Sequence, residues 1–377
     1  MMEQIHQKLF ILLNTSLVSC FMSCSLFNPV TNDNPELSLL LANLSSQTIA
    51  PSKYLFVVSS GDSTARSYRI SSEDGSLTLA SSQATATPPL RTTAHPTLPV
   101  FYTTLNAVPG GVDAFPFDAN TGVLSARVTQ RTPGGENFSH IVMAHPNGNI
   151  LLYSIVQSVT RFYRSNLTDG SPGAPVVTST AIVANSQQGA LTPNGNFLYS
   201  AAAGGGLQRF SVASDGTMVD LGNTSISGAS ISGRIQISPG SDFLFTTSSS
   251  NEVASFRIDS AGNLTPVSLF SAGVTNLPHT ALNRDGTRFY VLSFGATIQT
   301  YSIATDGTLA LMDQQGAPAN TGIMCMDRSG RFLFVGQSAG AGDQMYNYRL
   351  EPNGIPTLKG SIVVGNTSRH CIASASI

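Results

Sequence analysis

Apolar residues along most of this chain fall in short runs, each closed by a turn. "KYLFVVSS" is one, and the aromatic ends of "HPTLPVFY", "HPNGNILLY", "TPNGNFLY", "SPGSDFLF", "NRDGTRFY" and "DRSGRFLF" are others. Such runs are too short for helices, and the Gly, Pro, Asn and Asp around them punctuate strands. Stretches such as "QRFSV" and "ASFRI" read as a third kind of strand, following each aromatic one.

The turns recur at an even interval. One kind reads "EDGSLTL", "NTGVLSA", "TDGSPGA", "SDGTMVD", "SAGNLTP", "TDGTLAL" and "PNGIPTL", with its glycine at 75, 122, 170, 216, 262, 307 and 354. Asp-Gly between apolar segments is a hairpin signal, because Gly tolerates positive φ and Asp bonds the local backbone. The second kind, the "HPNG"-like turn before each aromatic strand, lies about midway and occurs six times. A unit is thus four short strands over about 46 residues, the signature of a propeller blade. The pattern predicts an all-β fold, a seven-bladed β-propeller of four-stranded antiparallel blades over residues 53–377.

The missing sixth-against-seventh turn has a reading of its own. The first unit starts at "KYLFVVSS", an aromatic strand with no inner strand before it. "SRHCIASASI" follows the last complete unit and resembles inner strands such as "SHIVMAHP". Arg369–Ile377 is therefore expected to return to blade one as its innermost strand, closing the ring and leaving no edge there unpaired.

The first 52 residues lack this repeat. "MMEQIHQKLFILLNTSLVSC" has Lys8, an apolar stretch from Leu9 to Val18 and a small residue before Cys20, the layout of a secretory signal peptide. Leu17-Val18-Ser19-Cys20 resembles a bacterial lipobox, with Cys24 as the alternative acylation site. The expectation is a signal over 1–19 and an acylated Cys20 with a polar tether over 20–52. The protein would then be an outer-membrane lipoprotein of the cell envelope, touching membrane through its lipid only.

Composition narrows function by exclusion. Charged residues are 11%, and net charge is −2, so there is no basic footprint for nucleic acid. No Cys-x-x-Cys, no His-x-x-x-His and no clustered acidic loop supports a metal, and no Gly-rich loop opens a helix for a nucleotide. No cofactor is expected, and the protein is read as a monomer. His95 and His145 precede the turn prolines and read as turn chemistry. Cys325 and Cys371 fall on inner strands of neighbouring blades; they are expected to be free buried thiols, such strands seldom being close enough for a disulfide. Arg161, Arg164 and Arg234 are expected to lend one face a mild positive potential.

The paired "PNG-F-L-Y" and "DGTL" turns in seven units resemble the lactonase-type propeller family, which includes 6-phosphogluconolactonases and carboxymuconate-lactonizing enzymes. The resemblance implies a His, an acid and several Arg at one mouth of the central channel. Lactone hydrolysis needs a base to activate water and cations to hold an acidic substrate and its oxyanion. His140 matches the family's His before the third blade's turn, and Arg234 and His279 are the remaining candidate catalytic residues. Elsewhere the chain departs from the family. Ile155-Val156-Gln157 replaces an Asp-Leu-Gly stretch, Gly233-Arg234 an Arg-His pair, Ser248-Ser249 the Asn-Glu that carries the acid, and Leu292-Ser293-Phe294-Gly295 a Ser-Asn-Arg-Gly. The Arg near Gly322 is also replaced, while Gln337 sits where an Asn-Gln is common. Two functions follow: a non-catalytic binding or scaffold propeller with a protein or glycan partner, or a lactone hydrolase acting on a small acidic sugar lactone.

Overall fold

The structure is a computed structural model that describes residues 52–133, 139–155, 160–182, 189–201, 206–224, 234–277, 279–294, 297–338, 340 and 342–373; for 139–141, 154–155, 160 and 179–182 it describes the backbone alone. The candidate signal, Cys20, Cys24 and the tether up to residue 51 lie outside the described residues, while Ser52 is buried, its N–H donating to Asp327 and its Oγ accepting from the Arg328 N–H. The propeller belongs to the compact unit Ile49–Ile377. Among the described residues there is no α-helix, and seven antiparallel sheets radiate from a common axis. Their inner strands are Ser368–Ala373, Pro89–Ala94, Ser139–Ala144, Gly189–Leu191, Gln236–Ile237, His279–Leu282 and Thr321–Met326, in blades one to seven. Blade three carries an extra short strand, Ser171–Pro172, which pairs with the end of Thr160–Thr168, the strand that also pairs with the outer strand Val176–Ile182.

The closure expected of the C-terminal segment is present. Ser368–Ala373 pairs antiparallel with Tyr54–Ser59, placing His370 opposite Val58 and Cys371 opposite Val57. Asp343 of blade seven accepts the Ser368 N–H at 2.8 Å, and Ser60 N–H donates to the Thr367 carbonyl at 3.0 Å. Residues 374–377 of the expected strand lie outside the described residues.

The core lies between blades. Phe56, Phe101 and Phe115 stack where blade one meets blade two, and Tyr199, Leu244 and Phe256 pack where four meets five. Burying aliphatic and aromatic faces against the next sheet is the main drive for assembly. The repeating turns explain the sequence signal. In each Asp-Gly turn the carboxylate accepts a backbone N–H two residues on, at 2.8 Å from Thr217 to Asp215 and 2.9 Å from Thr308 to Asp306. These bonds give the acidic residues of the turns a local role, and they hold Asp74 down at about 2.

The turn glycine is needed for a second reason. An added Cβ at Gly262, where φ is +78°, would stand 2.5 Å from the Phe197 ring of the preceding blade; Gly75 meets Phe332 and Gly170 meets Val100 in the same way. The glycine carbonyls are also clasped from that preceding blade. Tyr102 OH donates to Gly170 at 2.7 Å, Tyr199 to Gly262 at 3.1 Å and Tyr290 to Gly354 at 2.8 Å. In blades one and five a Ser takes this part, Ser67 toward Gly122 at 2.6 Å and Ser255 toward Gly307 at 2.8 Å. His95 and His145 behave as turn residues should: their Nε2–H groups meet the Gly148 and Gly195 carbonyls of the next blade at 2.7 and 3.2 Å.

The two cysteines correct the expectation of free thiols. Cys325 and Cys371 form a disulfide, with Cα atoms 6.0 Å apart. Inner strands converge on the axis, so neighbours that share no ladder still come within bridging distance.

Candidate functional site at the channel mouth

Each inner strand begins after a crossover between blades, and those of blades two to seven end at a "PNG"-type turn, so residues near strand starts gather at one mouth of the channel. Four polar residues occupy one layer there. His279 opposes Leu292 and His370 opposes Val58, each the fifth residue of its second strand. The Gln236–Phe245 pairing extends to set Arg234 opposite Thr247, and the Arg91 N–H donates to Thr104 Oγ1 at 3.1 Å; Thr247 and Thr104 are again fifth. Arg91, Arg234, His279 and His370 thus come from blades two, five, six and one at equivalent positions.

Their hydrogen bonds fix their chemistry. His279 Nδ1 accepts the Met324 N–H at 3.3 Å, while Arg234 Nη1 donates to the Met324 carbonyl at 3.4 Å. His370 Nδ1 sits 3.3 Å from the Thr92 N–H and 2.8 Å from its hydroxyl. With Nδ1 accepting a backbone N–H, each neutral ring carries its proton on Nε2 and is a donor only. Thr280 Oγ1 holds the Arg234 carbonyl at 2.7 Å and Gln236 Nε2 the Thr280 carbonyl at 3.0 Å, which fixes the Arg234 backbone. As whole residues Arg91 and Arg234 are half-buried. Yet Arg234 Nε and Nη2 and Arg91 Nε are shut off from solvent with no hydrogen-bond partner.

Electrostatically the layer draws its positive charge from Arg91 and Arg234, beside two neutral imidazoles. Burial first, then Arg234 and Arg91, holds His279 well below its usual range. His370 is lowered by burial and by the same two Arg and His279. Burial and Arg91 push Arg234 down, and burial and Arg369 bring Arg91 to about 10. Neither ion pair resolved among the described residues, Arg66–Asp62 and Arg127–Asp113, involves this layer. Buried donors left open beside uncompensated positive charge form a receptor for an anion.

The sequence candidates divide against this geometry. Arg234 and His279 are brought together. His140 lies on the inner strand of blade three, one residue before Ile141, which takes the equivalent register opposite Ser154; the ladder slips between Ser139 and Ile141. Its side chain lies outside the described residues. Arg91 and His370 were missed. The signal was available: Arg91, Arg234 and His279 each stand five residues before the second residue of the following turn, at Pro96, Pro239 and Arg284. Arg164 joins no face with Arg234, for it reaches the Asp215 carbonyl in an Asp-Gly turn, at the other end of the ring. Gln337 bonds the Ala319 carbonyl and the Gln344 N–H and so braces loops of its own blade. The turn holding Ser248 does contain a carboxylate, because Glu252 Oε2 accepts the Ser248 hydroxyl at 3.0 Å. Phe294, 38% exposed, borders Gly322 at the mouth. Among the described residues no three His, Cys, Asp or Glu are grouped to hold a metal ion.

Fold and site together define a seven-bladed propeller with a cationic channel mouth. No protein-family model matches the chain, and no curated protein matches it in sequence. Solved structures do share the fold. A candidate 6-phosphogluconolactonase from Bacteroides uniformis superposes with a TM-score of 0.72 at 17% identity, covering 86% of this chain and 99% of that one. A second candidate, from Bacteroides fragilis, gives 0.71 at 17% identity over 86% and 98%. The periplasmic gluconolactonase of Pseudomonas aeruginosa gives 0.66 at 18% identity over 84% and 98%. The lactonase-like architecture read from the turns is therefore present in this chain.

Proposed function

We propose that this propeller is a binding module whose channel mouth holds a small carboxylate or phosphate anion without hydrolysing a lactone. One observation carries the reading: Arg91, Arg234, His279 and His370 offer open N–H donors and positive charge, while both imidazoles have Nδ1 occupied. A general base needs a free lone pair, and neither ring has one. The anion is a free metabolite or an acidic group on a protein or glycan partner, with the surrounding loops supplying the rest of the contact. Titration calorimetry with inorganic phosphate, gluconate and 6-phosphogluconate tests this. At least one should bind, and Arg234→Gln combined with His279→Gln should weaken it at least tenfold. No binding by any probe defeats the reading.

Lactone hydrolysis is the second reading, favoured by the lactonase names of the structural neighbours and by Glu252 in the turn where the family carries its acid. His140 would then be the base, with Arg234 and His279 holding the acidic substrate. Assay of glucono-δ-lactone and 6-phosphogluconolactone on wild type beside His140→Ala decides it. Turnover lost in the variant establishes the enzyme and overturns the binding module.

Export and anchoring belong to the same proposal. The lipobox-like stretch ending in Cys20 supports them, and a disulfide fits an oxidising compartment. Detergent partitioning should be lost in Cys20→Ser, or in Cys24→Ser if that is the acylated residue. Aqueous partitioning of wild type refutes the anchor.

A further inference from the structure

The donors at the mouth come in two pairs with separate supports. Arg234 and His279 share one: the Met324 carbonyl takes the guanidinium and the Met324 N–H meets the imidazole. His370 and Arg91 share the other, since Thr92, which holds His370, directly follows Arg91 on the inner strand of blade two. The inner strands bearing Met324 and His370 belong to different sheets, with no ladder between them. Asp343 and the Gly340 carbonyl tie only the start of the closing strand, through the Ser368 and Thr367 N–H groups. Beside the donors themselves the tie is covalent. Cys325 follows Met324, and Cys371 follows His370.

We propose that the Cys325–Cys371 disulfide is a positioning element of the anion site, setting the separation between the Arg234–His279 pair and the His370–Arg91 pair. The proposal rests on the anion-binding reading for its consequence but not for its geometry. Held at a Cα separation of 6.0 Å, the two strands keep four donors aimed at one ligand. Once the bond is cut, each pair keeps its own hydrogen bonds while their mutual distance relaxes. Preorganisation of this kind acts on affinity because the free site no longer has to be ordered on binding. Both sulfurs lie in the core between blades seven and one, away from the ligand, so the effect would be mechanical.

The test compares oxidised and reduced wild-type protein. A dithiol reduces the bond by exchange, yielding two protein thiols and the dithiol's own cyclic disulfide, and brief mild denaturant admits it to the buried bond. Inorganic phosphate affinity, measured after return to native buffer, should fall about tenfold on reduction and recover on reoxidation with oxidised glutathione. Gly262→Ala, which destabilises a distant blade contact, should leave that affinity unchanged. The second readout needs no ligand. Imidazole ¹⁵N signals of His279 and His370, assigned with His279→Gln and His370→Gln, should shift on reduction while the circular dichroism spectrum stays that of the folded ring. Cys325→Ala/Cys371→Ala should reproduce the reduced form. If phosphate fails to bind oxidised wild type, the anion reading falls, and the ¹⁵N shifts still decide the coupling. Identical ¹⁵N signals in both redox forms overturn the proposal, as does an affinity loss equalled by Gly262→Ala.

Discussion

Replacing Gly262 by Ala separates what the repeat turn needs for its backbone from what it needs for its neighbour. At φ +78° any L side chain sits in the left-handed region, which costs roughly 1–2 kcal/mol. The new methyl would also stand 2.5 and 2.6 Å from two carbons of the Phe197 ring. That ring packs against the cluster between blades four and five, so it cannot swing aside cheaply, and overpacking of this kind adds about 1–3 kcal/mol. The sum is about 2–5 kcal/mol. Gly222 supplies the control: its φ is +84°, yet an added Cβ meets nothing within 4 Å, so Gly222→Ala should cost only the backbone part, about 1–2 kcal/mol. Urea unfolding with matched slopes measures both. A cycle with Phe197→Ala isolates the contact, because Gly262→Ala should cost about 1–3 kcal/mol less when the ring is gone. Equal costs for Gly262→Ala and Gly222→Ala, or a cycle that adds to zero, would refute the claim that the recurring glycine is a packing residue between blades.

Three further outcomes follow from the same contacts. Tyr199→Phe and Tyr290→Phe should each lose about 1–3 kcal/mol in denaturant melts, since the Gly262 and Gly354 carbonyls are left without their donors; no change in either refutes the clasp. Removing the disulfide releases a loop of 46 residues in the unfolded chain and should cost about 4 kcal/mol, read as a lower urea midpoint for Cys325→Ala/Cys371→Ala. Stability should also fall with acid in two stages. His279 and His370 lie below their unfolded value of 6.5, so their contribution is whole above that pH and declines beneath it as the unfolded chain takes up protons; His279→Gln/His370→Gln should flatten this stage. Asp74, Asp118, Asp215, Asp259 and Asp306 are depressed from 3.8, Asp74 to about 2, so their contribution is present above about 4 and lost between there and about 2. Melts from pH 8 to 2 that show neither stage contradict the assigned hydrogen bonds.

The architecture was legible because a propeller writes its period into its turns. Each repeat turn needs a glycine for local reasons, preceded by Asp in four copies, so seven glycines at even spacing disclose seven blades. The closing strand was legible for the opposite reason, as a unit with a piece missing. The site was only half legible. His140 stood out by resemblance, whereas Arg91 hides in "PPLRTTAHP" and His370 lies on a strand with no following turn to count from. The disulfide was misjudged because strand separation near the axis depends on how tightly seven sheets converge, a global quantity that no local stretch of sequence encodes.

The pairing of Ser59 with Ser368 also sets a timetable. Along the chain, Tyr54–Ser59 comes roughly three hundred residues before the strand that covers its inner side. Until then its Leu55, Phe56, Val57 and Val58 backbone groups face open water or whatever strand drifts past. Six blades can stack during that wait, but the donor layer cannot, for His370 arrives with the final strand and Cys325 waits on Cys371. The newborn protein therefore acquires its sealed ring, its covalent tie and its full complement of ligand donors in one late event. A product cut short before His370 would carry three of the four donors and leave the inner edge of Tyr54–Ser59 unpaired.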